Sequence, residues 1–337
     1  MVYNHPMAKV SFPAVHLFVL SSLCCAVAFP AFAAEESVSI TPRFTRAIVE
    51  PPSPVVEAHL RIDSALVQIP VHVTTAYGMS ITDLTKENFQ ILEDDVEQKI
   101  ATFAQDDAPV SVGLLFDSSG SMQNKIRKSS EAVATFFKTA NAEDEFFLVE
   151  FNERPKLAVS FTRDSDDIYR KVAHIRPFGR TSLLDAIHLA SEQMKNARNL
   201  RKALVILSDG GDNRSRYTAH EIKNALLESD VQVFAMGIFD PDDVPKRTPE
   251  EAKGPQLLDE LAEQTGGRMY TVDKLDDLAN ISARIGNQLR NQYLLGYSPN
   301  NPVRDGKYRH VKVNLIAPEG SADLRTYYRH GYYAPAQ

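Results

Sequence analysis

Three short segments of this chain carry side chains whose oxygen atoms suit a hard divalent cation. Asp117, Ser119 and Ser121 lie within five residues of one another, directly after an apolar run. Thr181 begins a second segment, and Asp209 follows another wholly apolar run. Mg²⁺ prefers oxygen ligands near octahedral geometry and keeps several waters, so one or two carboxylates with a few hydroxyls fit its chemistry. The sequence therefore predicts one cation site if the three segments meet.

Each of these segments also has an ordinary structural explanation when it is considered alone. Ser and Asp after a strand commonly cap the next helix, and Ser-Asp-Gly is a common turn. The three segments together favour a site, because each follows or precedes a regular element and open α/β sheets bind ligands at the carboxyl ends of their strands.

The elements that must position these residues begin at Val110 and alternate short apolar strands with longer amphipathic helices. This rhythm predicts an α/β fold, a doubly wound, Rossmann-like and mostly parallel sheet of six strands with helices on both faces. The predicted strands cover residues 110–116, 145–151, 157–161, 203–208, 231–237 and 268–272. The predicted helices cover residues 125–140, 164–174, 183–197, 219–229, 255–265 and 275–292.

Strand-like segments also precede and follow this α/β region. Apolar and polar residues alternate from Leu66 to Thr74, and runs over 89–93 and 98–103 flank Asp94-Asp95, residue types that suit a hairpin turn. Further strands are predicted over residues 293–297, 308–315 and 324–333. Isolated hairpins are only marginally stable, so we expect the two groups to pair in a small flanking β-sandwich-like unit.

The N-terminus has the order of features typical of a secretory signal peptide. Lys9 precedes a nearly uncharged apolar run over residues 14–32, and small residues follow over 31–34. An uncleaved membrane anchor is the alternative, since the run approaches the roughly 18 residues that a span needs. We expect cleavage and a secreted or periplasmic protein without a stable membrane span. Cys24 and Cys25 both lie in this run, so the mature chain excludes disulfides and thiolate chemistry.

These patterns predict five segments along the chain. The segments are a signal peptide over 1–34, a linker over 35–60, an N-terminal β unit over 61–107, an α/β domain over 108–292 and a C-terminal β segment over 293–337.

The net charge of −7 argues against a nucleic acid as partner.

The three oxygen-rich segments, in this order, resemble the metal-ion-dependent adhesion site (MIDAS) of von Willebrand factor A domains. The resemblance covers about residues 110–288 and includes 261–268, which is similar to the family's helix leading into its last strand. Where the family often has a second glycine before the threonine, this chain has Arg180. Segments 84–89 and 331–335 further resemble a secreted, acidobacterial-type branch of bacterial von Willebrand A proteins.

The resemblance implies a role for each candidate residue. Ser119 and Ser121 would be direct hydroxyl ligands, and Thr181 would be a direct or water-mediated one. Asp117 and Asp209 would act through waters. It also implies an open position on the ion, which an acidic side chain of a protein partner fills. The ion would be Mg²⁺, with Mn²⁺ or Ca²⁺ as alternatives that oxygen donors distinguish only partially.

Other functional classes have weaker support in the sequence. Neither a G-x-G-x-x-G segment nor a Walker-type loop follows the first strand of the α/β region, which argues against nucleotide binding. The serine-rich loop lacks a G-x-S-x-G elbow, and there is no H-E-x-x-H helix. We therefore expect a non-enzymatic, metal-dependent protein-binding module. A metal-assisted hydrolase and a scaffold in which the ion only orders loops remain as alternatives.

Overall fold

The computed structural model describes residues 66–105, 107–239, 252–317 and 323–336. The predicted signal peptide and linker, over residues 1–34 and 35–60, lie outside the described residues. Across the described ranges, no helix has the length and apolar character needed to cross a bilayer.

The strands are β1 Val67–Thr75, β2 Phe89–Glu93, β3 Val96–Gln98, β4 Ile100–Gln105, β5 Val110–Asp117, β6 Glu145–Phe151, β7 Lys156–Thr162, β8 Arg201–Ser208, β9 Gln232–Gly237, β10 Arg268–Thr271, β11 Tyr293–Tyr297, β12 Tyr308–Leu315, β13 Leu324–Tyr328 and β14 Gly331–Tyr333. The helices are α1 Ile126–Phe137, α2 Ser165–Val172, α3 Leu183–Met194, α4 Ala219–Glu228, α5 Gly254–Gln264 and α6 Leu278–Arg290.

Six of these strands form the sheet of the α/β domain, in the order β10-β9-β8-β5-β6-β7. All neighbouring pairs are parallel except β6 and β7, which are antiparallel. The two central strands, β5 and β8, are apolar runs that are buried along almost their whole length, as expected of strands covered on both faces. The predicted six-stranded, mostly parallel sheet is confirmed.

Helices cover both faces of this sheet because side chains along each strand alternate between two cores. From β5, Val112 and Leu114 join the core under α1, α2 and α6, whereas Leu115 joins the core under α3, α4 and α5. Gly113 faces the second core, where an added Cβ would overlap the side chains of Phe147 and Leu204. The sheet is therefore a closely packed middle layer whose carboxyl edge is left to loops.

The remaining strands form two four-stranded sheets, ordered β13-β1-β11-β4 and β14-β12-β2-β3. Strands from both ends of the described chain pair here, since β1 is antiparallel to β11 and β13, and β12 is antiparallel to β2. One apolar core contains side chains of both sheets, among them Ile69, Ile91 and Val313. Asp94 and Asp95 both have positive φ and form the predicted tight turn between β2 and β3.

The predictions for two strands of this β-sandwich were wrong in their bounds or pairing. Residues 98–103 do not continue the hairpin, because β3 ends at Gln98 and β4 pairs with β11 in the other sheet. Residues 324–333 are two strands, since β13 pairs with β1 and β14 pairs with β12. The chain crosses between sheets at Arg329, whose guanidinium contacts Asp230 and donates to the Gln68 carbonyl at 2.9 Å.

Candidate functional site

The first loop of the candidate site follows β5 and carries three of the predicted residues. Asp117, the last residue of β5, is fully buried. Its Oδ1 accepts a hydrogen bond from the Ser119 amide at 2.8 Å, and its Oδ2 accepts one from the Ser208 hydroxyl at 2.6 Å. The hydroxyl oxygens of Ser119 and Ser121 lie 3.1 Å apart. A buried carboxylate and two adjacent hydroxyls thus share the end of one strand.

Backbone hydrogen bonds join this loop to the second one, which leads into α3. The Phe178 amide donates to the Ser118 carbonyl at 2.9 Å, and the Gly120 amide donates to the Gly179 carbonyl at 3.0 Å. Gly179 has a φ of +76°, a left-handed conformation that glycine adopts without steric cost. Thr181 follows and is buried. The second loop therefore places Thr181 at the same edge of the sheet as the first loop.

The third loop follows β8 and is hydrogen-bonded to the second loop. The Thr181 amide donates to Asn213 Oδ1 at 3.0 Å, and the Asn213 amide donates to the Thr181 carbonyl at 3.1 Å. Asp209 is the first residue after β8, and its Oδ2 lies 3.3 Å from the ammonium nitrogen of Lys125. All five residues predicted from the sequence thus lie on three loops that contact one another. Arg180, between them, is exposed to solvent.

The electrostatics of this edge are dominated by two neighbouring carboxylates. Burial, and after it the charge of Asp209, raise the pKa of Asp117 to about 7. The hydrogen bonds from Ser119 and Ser208 act in the opposite direction, because they favour the ionised carboxylate. Two acids this close are costly to keep ionised, and a bound cation would add to the positive charge that Lys125 brings beside Asp209.

Further polar residues that the sequence did not single out hold the third loop in shape. Asp185 Oδ1 accepts hydrogen bonds from the amides of Arg216 and Tyr217, at 2.8 and 3.2 Å. Asp212 Oδ2 accepts one from the Leu184 amide at 2.9 Å, at the start of α3. Both acids therefore hold backbone amides of the second and third loops in place. Their only sequence signal was an acid in the first turn of a helix and another after Ser-Asp-Gly-Gly.

The donor set fits a hard cation better than a soft one. The five candidate side chains offer two carboxylates and three hydroxyls, and the charge of such a set is low. Within the described ranges, no group of three or more His, Cys, Asp and Glu side chains is arranged to hold a metal ion. Zinc sites are usually built from such groups, whereas the hydroxyl and carboxylate oxygens of this edge are donors that suit a hard divalent cation.

Comparisons with known proteins agree with the fold of this region. A sequence profile of the von Willebrand factor type A domain matches residues 112–211. Inter-alpha-trypsin inhibitor heavy chain H2 from Sus scrofa is 26% identical over 195 residues, covering 52% of this chain and 20% of that protein. An uncharacterized protein from Borreliella burgdorferi is 23% identical over 167 residues, covering 45% of this chain and 49% of that protein. The chain thus aligns with between a fifth and a half of these relatives' lengths.

Among solved structures, a von Willebrand factor type A protein from Catenulispora acidiphila has a TM-score of 0.47 at 13% identity. The alignment covers 80% of this chain and 73% of that one. The profile match covers the first and second loops of the candidate site and the start of the third, and the six-stranded sheet provides the matching architecture. This chain therefore contains a von Willebrand factor type A domain.

Proposed function

We propose that this protein is an exported, metal-dependent protein-binding module. Its von Willebrand factor type A domain would hold one divalent cation, Mg²⁺ with Mn²⁺ or Ca²⁺ as alternatives, and present it to an acidic side chain of a protein partner. Export rests on the predicted signal peptide over residues 1–34. The residues that would hold the ion are Asp117, Ser119, Ser121, Thr181 and Asp209.

One observation carries the proposal, namely the meeting of three oxygen-bearing loops at one sheet edge. The hydroxyls of Ser119 and Ser121 lie 3.1 Å apart, beside a carboxylate that is fully buried. A loop that only capped a helix would have no need to bury Asp117 beside a second acid, because such burial is costly. A cation that is shared by the loops would offset that cost.

The kind of partner follows from the charge of the donor set. Hydroxyl ligands are neutral, and Asp117 and Asp209 would act through waters. No anionic ligand of the chain would then contact the ion directly, and its open side would attract an anionic group. When bound, the ion would supply electrostatic attraction for a carboxylate. The chain's own residues would hold the ion in place at the edge of the sheet.

The first experiment is a calorimetric titration of Mg²⁺, and separately of Mn²⁺, into the metal-stripped chain. We expect one ion per chain, and no binding by the double variant Asp117→Ala, Ser119→Ala. The variant Asp259→Ala is the matched control, since it removes an exposed acid from α5 and should bind as the wild type does. Absence of binding by the folded wild-type chain would refute a metal-dependent function.

The alternatives give different results in the same system. A scaffold whose ion only orders loops would bind the ion and gain stability, yet its partner complexes would survive EDTA. A metal-assisted hydrolase would turn over a substrate in a way that ends with Asp117→Ala while folding survives. The proposed module instead loses its partner in EDTA and regains it with Mg²⁺.

A further inference from the structure

Lys125 brings a positive charge to the candidate ion site from within the chain. Its ammonium nitrogen lies 3.3 Å from Asp209 Oδ2, and the two side chains are only 5% and 10% exposed. The backbone of Lys125 is anchored on both sides, because its amide donates to the Met122 carbonyl and its carbonyl accepts from Ser129. The ammonium group is therefore held at the site by the turn that also carries Ser121.

A buried ammonium group is stable only beside an acceptor of opposite charge, and the same holds for a buried carboxylate. Asp209 meets this need for Lys125, and Lys125 meets it for Asp209. Asp117, also buried, repels the charge of Asp209. Without a metal ion, Lys125 is thus the positive charge that stabilises Asp209 among the described contacts.

A divalent cation entering the site would meet this ammonium group. Asp209 is one of the proposed ligands, so the ion and Lys125 require the same carboxylate. The two cations also repel each other in a partly buried site, where the repulsion is stronger than in water. Binding of the ion must therefore weaken or displace the contact between Lys125 and Asp209.

We propose that Lys125 is a built-in counter-ion that stabilises the metal-free site and lowers its affinity for the divalent cation. The proposal rests on the metal-dependent function argued above. Lys125 would set the ion concentration at which the site becomes occupied. A purely structural ion pair makes the opposite prediction. Its loss would deform the site and weaken ion binding, whereas loss of a competing cation strengthens it.

The test is the variant Lys125→Met, which keeps the length of the side chain and removes its charge. We expect calorimetry to give Mg²⁺ and Mn²⁺ affinities about tenfold tighter than those of the wild type, or tighter still. We also expect a lower Tm in EDTA than that of the wild type, and a smaller difference between the two at saturating Mg²⁺.

Two controls separate charge from side-chain bulk and position. Lys125→Arg keeps the positive charge and should not tighten ion binding. Lys128→Met removes a partly exposed cation from α1, the helix that follows Lys125, where it pairs with Glu131 and Asp276. That variant should bind Mg²⁺ as the wild type does, because it leaves the candidate site unchanged.

Each outcome decides between the two proposals. Equal or weaker Mg²⁺ binding by Lys125→Met, with binding by the wild type, overturns the counter-ion proposal and leaves the metal-dependent function standing. Binding by the variant alone retains the counter-ion role and overturns the function, because the lysine would then replace the ion. Binding by neither chain overturns both. A variant that folds only in Mg²⁺ supports the proposal, and one that stays unfolded at every Mg²⁺ concentration refutes it.

Discussion

His72 in β1 is a buried histidine whose protonation should destabilise the fold. It is only 2% exposed, and its Nε2 lies 2.9 Å from the Ser80 hydroxyl oxygen. Burial, and after it the positive charge of Arg268, lower the pKa of His72 to about 4. Tyr327, its partner in β13, offers an aromatic ring and no negative charge. A proton on His72 would thus have no carboxylate among these neighbours.

The size of the effect follows from the two pKa values. The folded value is about 4 and the ordinary value is 6.5. At about 1.4 kcal/mol per unit, the neutral form contributes about 3 kcal/mol to the free energy of unfolding. The unfolded chain takes up the proton near pH 6.5, and the folded chain takes it up only near pH 4. The contribution is therefore complete above pH 6.5 and is lost as the pH falls towards 4.

Urea unfolding at pH 7 and at pH 4.5 measures this loss. The variant His72→Gln keeps a hydrogen-bonding group near Ser80 but cannot take up a proton. Its stability should fall by about 2–3 kcal/mol less than that of the wild type over this range. His310→Gln, which replaces an exposed histidine of the same β-sandwich, should follow the wild type. The same pH dependence in the wild type and His72→Gln would refute the assigned cause.

Two further substitutions test the anchoring of the α/β domain and of its third loop. Arg290→Met should lower the free energy of unfolding by about 3 kcal/mol, because it leaves the fully buried Asp144 carboxylate without its guanidinium partner. A loss of less than about 1 kcal/mol, measured by urea unfolding, would contradict this. Gly210→Ala should lower the free energy of unfolding by about 1–2 kcal/mol and weaken Mg²⁺ binding in calorimetry. Gly210 has a φ of +77° beside Asp209, and the Cβ of an alanine there would lie 3.1 Å from the Gly254 carbonyl carbon. Gly306→Ala, also at positive φ but with only an ordinary contact to the Ala336 Cβ at 3.7 Å, should leave Mg²⁺ binding unchanged.

The sheet of the α/β domain was predictable because its signal is local. An uninterrupted apolar strand such as β8 must be covered on both faces, and helices between such strands imply parallel neighbours. The break between β13 and β14 was missed because strand-forming tyrosine pairs, Tyr327-Tyr328 and Tyr332-Tyr333, lie on both sides of it. At the break, the guanidinium of Arg329 contacts Asp230, about a hundred residues away in the chain. Contacts of that kind do not follow from residue periodicity.

The residues of the candidate site likewise fall into those that the sequence could predict and those that it could not. Asp117 and Asp209 end parallel strands, so topology alone predicts that they share an edge. Lys125 was missed because its nearness to Asp209 depends on how the turn after β5 folds back. Asn213 was missed for a similar reason, since its bonds to Thr181 join two loops that are far apart in sequence.

The way the three loops are joined bears on what an ion would do there. Hydrogen bonds from Phe178 to Ser118, from Gly120 to Gly179 and between Thr181 and Asn213 hold the loops together through the protein alone. An ion is therefore not needed to order them, which argues against the scaffold alternative. Under the proposed function, charge would mainly decide the affinity for the ion. The repulsion between Asp117 and Asp209 would favour a cation, and the ammonium group of Lys125 would compete with it. A site organised in advance spends little free energy on loop ordering, so more of the ion's attraction remains for a partner's carboxylate.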